Sequence, residues 1–125
     1  MKQRWLKDWP WTTVVTINAG LCREKNALHK PTSEGYTPAQ ELWESSRQRE
    51  LTLRQVLDLC RQCHRLAPFC FYNGNTFAAI GRTLIQELLA KMPPLQAQGL
   101  RSVVGHYIAG TAGAEELSKA LEELA

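Results

Sequence analysis

The residues best suited to chemistry lie close together between positions 58 and 70. The stretch DLCRQCHRLAPFC holds three of the four cysteines, and a histidine follows directly on a Cys-x-x-Cys spacing. These residues are Cys60, Cys63, His64 and Cys70. Thiolates and an imidazole at such a spacing can attach haem or bind a transition metal. On a helix, the same residues can instead belong to a buried face.

The pentapeptide CRQCH has the form of the c-type haem attachment signature, in which two thiols form thioethers and the histidine is an axial ligand. A second axial ligand is often methionine, and Met92-Pro93-Pro94 resembles the methionine loop of small c-type cytochromes. The glycine-rich stretch that usually surrounds the haem edge in those proteins is missing. Covalent haem attachment also follows export, and the N-terminal stretch has no apolar core of signal-peptide length. We therefore expect no haem.

The helical spacing of the cysteines favours packing over metal binding. Apolar residues and cysteines recur at intervals of three and four residues and form one stripe. The stripe consists of Leu53, Val56, Leu57, Cys60, Cys63 and His64. The alternative is a tetrahedral zinc site, although only one pair of its ligands has the usual short spacing. Its candidate ligands are Cys22, Cys60, Cys63, His64 and Cys70. Because free cysteine is among the most commonly buried residues, we predict packing, with no metal and no cofactor.

A second motif, FCFYNGNTF, covers residues 69–77. Its residues Phe71, Gly74 and Asn75 match a pattern of His-Pro-Phe-x-Asp-Gly-Asn, followed by Gly or Lys and then Arg. The stretch thus resembles a degraded version of the active-site loop of Fic and Doc proteins. That resemblance implies a helical protein whose loop cradles phosphates at a helix N-terminus.

The chain departs from the Fic and Doc pattern at the reacting positions. Phe69 stands in place of the catalytic histidine, Asn73 in place of the acidic residue and Phe77 in place of the arginine. Without a base that activates the acceptor hydroxyl, no AMP or phosphate transfer is expected, so the resemblance implies an inactive relative. The other interpretation is a tight turn with Gly74 at positive φ and aromatic side chains packed inward.

Arginines recur along the helix that carries the cysteines. Arg54, Arg61 and Arg65 share one face, and Arg47 continues their spacing in the preceding helix. Such a stripe can contact phosphates, which makes an accessory subunit that binds nucleic acid one alternative. The other is a solvated face on which Asp58 pairs with Arg54. We favour the solvated face, because a net charge of +3 is small for a nucleic-acid-binding protein.

Tryptophans crowd the N-terminal segment. Trp5, Trp9 and Trp11 lie within seven residues of one another, around Pro10. Tryptophan is enriched among the residues that anchor protein interfaces. These three residues therefore predict a docking segment for a protein partner or for another copy of the chain. The alternative is that they cover one end of a helical bundle.

The elements that position these residues are predicted to be mostly helices. Thr37 and Thr52 are each followed three residues later by a glutamine, which is the spacing of a capping box. Together with turn and proline signals, these caps predict about five helices. They cover about 37–49, 52–66, 75–92 and 95–109, with the last helix starting at about 114. The β-branched stretch TTVVTI, residues 12–17, predicts a short strand in an otherwise irregular segment.

The whole chain is predicted to be one mostly all-α domain. Residues 1–36 form the Trp-rich segment and a polar loop, and residues 37–125 form a compact bundle of about five helices. The length of 125 residues, with 44% hydrophobic and 22% charged residues, is that of an ordinary globular domain. No apolar run is long enough to cross a membrane, so no membrane association is expected. The predicted compartment is the cytoplasm.

The predicted function is binding, not catalysis. The sequence has no carboxylate pair in a predicted cleft, no nucleophile elbow and no glycine-rich phosphate loop with lysine. We therefore expect a small helical protein that binds a protein partner or oligomerises. The alternatives are nucleic-acid binding by the arginine stripe, zinc or haem binding by the cysteine segment, and an inactive Fic/Doc-like domain.

Overall fold

Helices make up most of the chain in the computed structural model, which describes residues 2–123. The helices are α1 (Trp11–Glu24), α2 (Tyr36–Arg47), α3 (Leu53–Leu66), α4 (Asn73–Leu84), α5 (Gln86–Ala90), α6 (Pro94–Ala109) and α7 (Ala114–Glu122). The predicted all-α bundle is confirmed, but the described residues form seven helices where about five were predicted. Extended pairing over residues 2–123 is limited to two isolated β-bridges. None of the helices in this range is both long and apolar enough to cross a lipid bilayer.

The first helix occupies the stretch for which a strand is predicted. Its buried residues are Trp11, Val14, Asn18 and Cys22. Their intervals of three and four residues are the period of a helix, not of a strand. The strand predicted over residues 12–17 is therefore wrong, because burial of this face outweighs the β propensity of the threonines and valines along it. Pro10 precedes α1 in an extended conformation, where the helix needs no backbone N–H from it.

The capping boxes are confirmed at one helix and misplaced at another. At α3, the Thr52 hydroxyl accepts the N–H of Gln55 at 3.1 Å, and the Gln55 side chain accepts the N–H of Thr52 at 2.8 Å. At α2, the helix begins at Tyr36 without a side-chain cap, so that Thr37 is its second residue. The predicted box at Thr37 is therefore wrong.

The helix predicted over residues 75–92 bends and divides in two. The division falls at Ile85, which is fully buried and has φ −93° and ψ 4°. Helical hydrogen bonds continue on both sides of it. The Ile85 N–H donates to the Gly81 carbonyl at 3.3 Å, and the Leu89 N–H donates to the Ile85 carbonyl at 2.9 Å. The side chain of Ile85 is buried in the core at this junction.

Two glycines allow α4 and α6 to lie close together. A Cβ atom on Gly81 would overlap the buried side chain of Ile108. A Cβ atom on Gly105 would lie 2.6 Å from Nη1 of Arg82. The missing side chains therefore bring the two helices into contact and leave the Arg82 guanidinium against the backbone of α6.

Buried aromatic rings join the N-terminal segment to the bundle. Trp11 stacks on Phe69 with ring centroids 6.0 Å apart and an interplanar angle of 9°, and it meets Trp43 edge-on at 6.4 Å. Trp43 is fully buried, and its Nε1 donates to the backbone carbonyl of Trp9 at 2.8 Å. These contacts place α1 and α2 around one aromatic cluster.

Residues 2–9 lack regular secondary structure but are held in place by hydrogen bonds to their backbone. Gln3 and Leu51 form a bridge, with N–H to carbonyl distances of 3.0 and 2.8 Å. Arg47 donates from Nε to the Leu6 carbonyl at 3.1 Å and from Nη2 to the Lys7 carbonyl at 2.9 Å. The predicted irregular segment is thus held against α2 and the start of α3.

The loop between α3 and α4 is held from one side by the chain before α2. The Thr32 N–H donates to the Pro68 carbonyl at 2.9 Å, and the Thr32 hydroxyl donates to the Ala67 carbonyl at 2.6 Å. The Cys70 N–H donates to the Lys30 carbonyl at 3.0 Å. These bonds fix the loop that leads into the candidate site.

Candidate functional site

An open cleft of about 600 Å³ lies between α4 and α6, beside the end of α3. Small residues line part of it, so little side-chain volume fills the space between the two helices. Ala78, Gly105 and Ala109 are among these small residues. The polar side chains along it include His64, Asn73, Arg82, Ser102 and His106. Over residues 2–123, neither aspartate nor glutamate lines this cleft. We call it the α4–α6 cleft.

His64 is oriented by one hydrogen bond at the end of α3. Its Nδ1 lies 2.9 Å from the carbonyl oxygen of Ile108. Because a carbonyl can only accept, Nδ1 carries a proton, and Nε2 remains able to accept a hydrogen bond or a second proton. The opposite edge of the ring faces Gly74. A Cβ atom added to Gly74 would lie 3.3 Å from both Cε1 and Nε2 of His64. His64 is therefore a half-buried, hydrogen-bonded residue at the edge of the core, with one nitrogen near the start of α4.

His106 is oriented in a similar way on α6. Its Nδ1 lies 2.8 Å from the hydroxyl oxygen of Thr111, and that hydroxyl donates to the His106 carbonyl at 3.2 Å. Because the Thr111 hydroxyl donates its proton to that carbonyl, its oxygen accepts the Nδ1–H of the His106 imidazole. The Nε2 of His106 is then the nitrogen left for a ligand.

Arg82 is the strongest cation along the cleft. It is half-buried at the last turn of α4, and no ion pair or side-chain hydrogen bond within residues 2–123 uses its guanidinium. Partial burial of a charge costs solvation free energy unless a partner offsets it. Since neither aspartate nor glutamate of residues 2–123 lines the cleft beside this cation, the cleft suits an anion better than a cation.

Asn18 holds the first turn of α4 in place from the side of α1. It is fully buried, and its Nδ2 donates to the Phe71 carbonyl at 2.8 Å and to the Thr76 hydroxyl at 3.0 Å. Its Oδ1 accepts the Nδ1–H of His29 at 2.8 Å. Thr76 in turn donates to the Tyr72 carbonyl at 2.7 Å. This network fixes the end of the α3–α4 loop, and with it the rim of the cleft.

The FCFYNGNTF stretch forms that loop and the first turn of α4. Tyr72 takes the left-handed conformation, with φ 62°, and Gly74 is helical, so the positive φ predicted for Gly74 is wrong. Phe69 is buried as predicted, whereas Phe71 is 49% exposed. The Asn73 side chain accepts the Phe69 N–H at 2.9 Å and donates to its carbonyl at 2.6 Å. Asn73 therefore closes the loop and does not cap α4.

The arginine stripe on α3 makes contacts within the chain. Arg54 pairs with Asp58 at 3.2 Å, as the sequence spacing predicts, and the Tyr107 hydroxyl donates to the same carboxylate at 2.5 Å. Burial and this bond raise the pKa of Tyr107, which keeps its hydroxyl protonated as a donor. Arg61 lies over the Tyr107 ring, 4.5 Å from the centroid, and donates to its carbonyl at 3.2 Å. Arg65 is exposed, so two of the three guanidinium groups are already engaged.

The cysteines take three different environments. Cys60 and Cys63 are fully buried in the core, as the helical spacing predicts. Cys22 is buried on α1, with its Sγ 3.5 Å from Oδ1 of Asn18, and Cys70 is exposed. Nowhere in residues 2–123 do three His, Cys, Asp or Glu side chains group closely enough to hold a metal ion.

One of the four thiols is expected to react with iodoacetamide in the folded protein at pH 8, and three only after unfolding. Cys70 is exposed, whereas burial raises the pKa of Cys63 to about 12 and that of Cys60 still further. The thiolate is the reactive form, so Cys60 and Cys63 lack both access and charge, and the buried Cys22 lacks access. Mass spectrometry of protein quenched after a short labelling time checks this prediction. Comparable native-state labelling of Cys60 or Cys63 would contradict the burial described above.

A second groove, of about 680 Å³, lies between residues 3–9 and the junction of α4 and α5. We call it the tryptophan groove, because Trp5 and Trp9 line it and are both half-buried. Trp11 lies elsewhere, in the core, and is only 3% exposed. The Nε1 of Trp5 is buried and has no hydrogen-bond acceptor among the residues that the structure describes. Of the three tryptophans predicted to dock a partner, two therefore share one open surface.

Arg82 and His106 are the cleft residues that sequence analysis missed. Their positions on α4 and α6 carry no motif, and the two helices meet only through tertiary packing. One available signal was the spacing of Ser102, Gly105, His106 and Ala109, which places small and polar residues on one face of the predicted helix.

No protein-family model matches this chain, and comparison with curated proteins and with solved structures finds no similar protein. The functional interpretation therefore rests on the geometry of the chain itself.

Proposed function

We propose that this chain is a non-catalytic domain that binds another protein through the tryptophan groove. The observation that carries the proposal is an open groove bordered by two half-buried tryptophans. Tryptophan offers a large apolar surface with few rotatable bonds, and it is therefore a common interface anchor. A partner that covered the exposed parts of both rings would remove apolar surface from water at a small cost in side-chain entropy.

The unsatisfied indole of Trp5 supports the same proposal. Its buried Nε1 has no acceptor among residues 2–123, and a buried donor left unpaired costs about 1–3 kcal/mol. The Nε1 of Trp11 is in the same state inside the core, and of these two indoles that of Trp5 lies at the groove, where a partner could supply the acceptor. A small shift of the segment on binding, which gave Nε1 an acceptor from the partner, would recover that cost.

The charges around the groove suit a partner surface of mixed sign. Arg4 and Lys7 line it together with Asp8 and Glu87. With two cations and two anions at the rim, salt is expected to weaken binding only modestly. This pattern favours a protein surface, either a second copy of the chain or a different protein, over a polyanion.

Replacing both Trp5 and Trp9 with serine is expected to abolish partner binding and also to lower stability, because both rings pack against the core. The backbone carbonyl of Trp9, which accepts the Trp43 Nε1–H, survives the substitution. Sedimentation velocity over a range of concentrations tests self-association, and quantitative affinity capture from an extract of the source cells tests a different partner. Leu28→Ser is the matched control, because Leu28 is 62% exposed and lies outside the groove.

The proposal requires an association that Leu28→Ser retains and the double serine variant loses. It fails if wild type stays monomeric at all concentrations and captures nothing that the double variant does not capture. It also fails if both variants lose binding equally, because exposed apolar surface in general would then be responsible. Circular dichroism and thermal unfolding of the variants establish that each remains folded.

A further inference from the structure

The α4–α6 cleft has the composition of a ligand site that is separate from the tryptophan groove. We propose that it binds a small organic molecule through an oxyanion group, either a carboxylate or a phosphate. This proposal does not depend on the proposed protein-binding function, because the two surfaces share no lining residue.

The charge of the lining selects an anion. The unpaired guanidinium of Arg82 is the one permanent charge along this cleft over the described residues, and no carboxylate opposes it there. Guanidinium groups bind carboxylate and phosphate oxygens with two parallel hydrogen bonds. The Nε2 atoms of His64 and His106 add two further polar positions, each left over after Nδ1 has found a partner inside the chain. Within residues 2–123, the charged and titratable groups of this lining are thus all basic or neutral.

The shape of the cleft suits a molecule longer than an inorganic anion. The lining follows α4 from Asn73 to Arg82, and nine residues of helix span about 13.5 Å. A volume of about 600 Å³ is also within the usual range of small-molecule sites, roughly 300–1,000 Å³. The oxyanion would lie at Arg82, and an uncharged polar portion would extend toward Asn73 and His64.

Gly105 provides the space in which the guanidinium of Arg82 lies. A Cβ atom at position 105 would be 2.6 Å from Nη1, so an alanine there must push the end of the Arg82 side chain aside. The charge remains in the molecule and only its position changes. Because Arg82 is flexible and alanine favours a helix, Gly105→Ala is expected to fold at least as well as wild type.

Calorimetric titration with three probes at constant ionic strength tests the proposal. The probes are sodium phosphate, glycerol 3-phosphate and succinate. We expect saturable binding of at least one organic probe, weakened at least tenfold by Arg82→Gln and by Gly105→Ala. Arg23→Gln is the control, because Arg23 is an exposed arginine on α1 that does not line the cleft and its loss changes the net charge by the same amount.

The relative affinities of the probes identify the oxyanion. Preference for glycerol 3-phosphate over succinate supports a phosphate ligand, and the reverse preference supports a carboxylate ligand. Absence of binding by both organic probes, or equal weakening in Arg23→Gln, overturns the proposal. If Arg82→Gln does not fold, Gly105→Ala still tests the proposal, because unchanged affinity in that variant would overturn the site in which the guanidinium binds from its position beside Gly105. Loss of protein binding in the tryptophan variants leaves this test unaffected.

Discussion

Replacing Gly35 with alanine is expected to lower the free energy of unfolding by about 3 kcal/mol, the upper end of the usual cost of overpacking. Gly35 precedes α2 and packs on the backbone at the end of α3. A Cβ atom on it would lie 2.5 Å from the carbonyl oxygen of Ala67 and would overlap that of Leu66. Backbone oxygens cannot rotate aside, so α2 and α3 must separate. The Thr32–Ala67 hydrogen bond at the same junction would weaken with them.

Gly20→Ala is the matched control for this prediction. Gly20 lies inside α1, where a new Cβ atom would meet nothing within 4 Å. The same change of residue is therefore expected to stabilise the protein there by about 0.5–1 kcal/mol, since alanine is the better helix former. Urea unfolding followed by circular dichroism measures both values. Similar stabilities for the two variants would show that α2 and α3 do not pack as closely as described.

Asn18→Leu is expected to lower the free energy of unfolding by about 2–3 kcal/mol, because buried polar groups lose their partners. Leucine keeps most of the volume but leaves the Phe71 carbonyl without a donor and removes the bonds to Thr76 and His29. Since these bonds fix the α3–α4 loop, the amide NMR signals of residues 69–76 are expected to shift or broaden.

Asn75→Leu is the matched control for this prediction, because it makes the same change of residue without removing the hydrogen bonds of Asn18. Asn75 is exposed in the first turn of α4, and no side-chain hydrogen bond in the described residues uses it. Its replacement is expected to change stability by less than about 0.5 kcal/mol. If Asn18→Leu proved as mild as this control, the buried network would not be holding the loop.

The helices could be predicted from the sequence where capping and turn residues agreed with the pattern of buried residues. α3 has a capping box at Thr52 and a continuous apolar stripe, and α6 has Gly110 as its left-handed cap. α1 was missed because its residues favour strands individually and its helical period includes a buried asparagine, Asn18, which reads as a turn residue. The break between α4 and α5 falls at Ile85, and no glycine or proline at that position predicts it from the sequence.

The candidate site could be predicted only in part. His64 stood out because of its neighbouring cysteines, yet its place in the cleft depends on Gly74 at the start of the next helix and on Ile108, 44 residues further along the chain. Arg82 belongs to the site because Gly105 on another helix leaves room for it. Such close approaches are set by packing between helices, and no pattern within either helix contains them. The same reason explains why the tryptophans separate into one core residue and two surface residues.

The hydrogen bonds around the α3–α4 loop also affect the order of folding. Asn18 and Phe71 are 53 residues apart, and Thr32 and Ala67 are 35 residues apart. Helical bundles usually fold fast because their contacts are local, but these bonds require the closure of long stretches of chain. Ala67 and Tyr72 adopt left-handed backbone angles, which cost about 1–2 kcal/mol each until the surrounding contacts form. We therefore expect α3 and α4 to form early and the loop between them to settle last, when the N-terminal third of the chain docks.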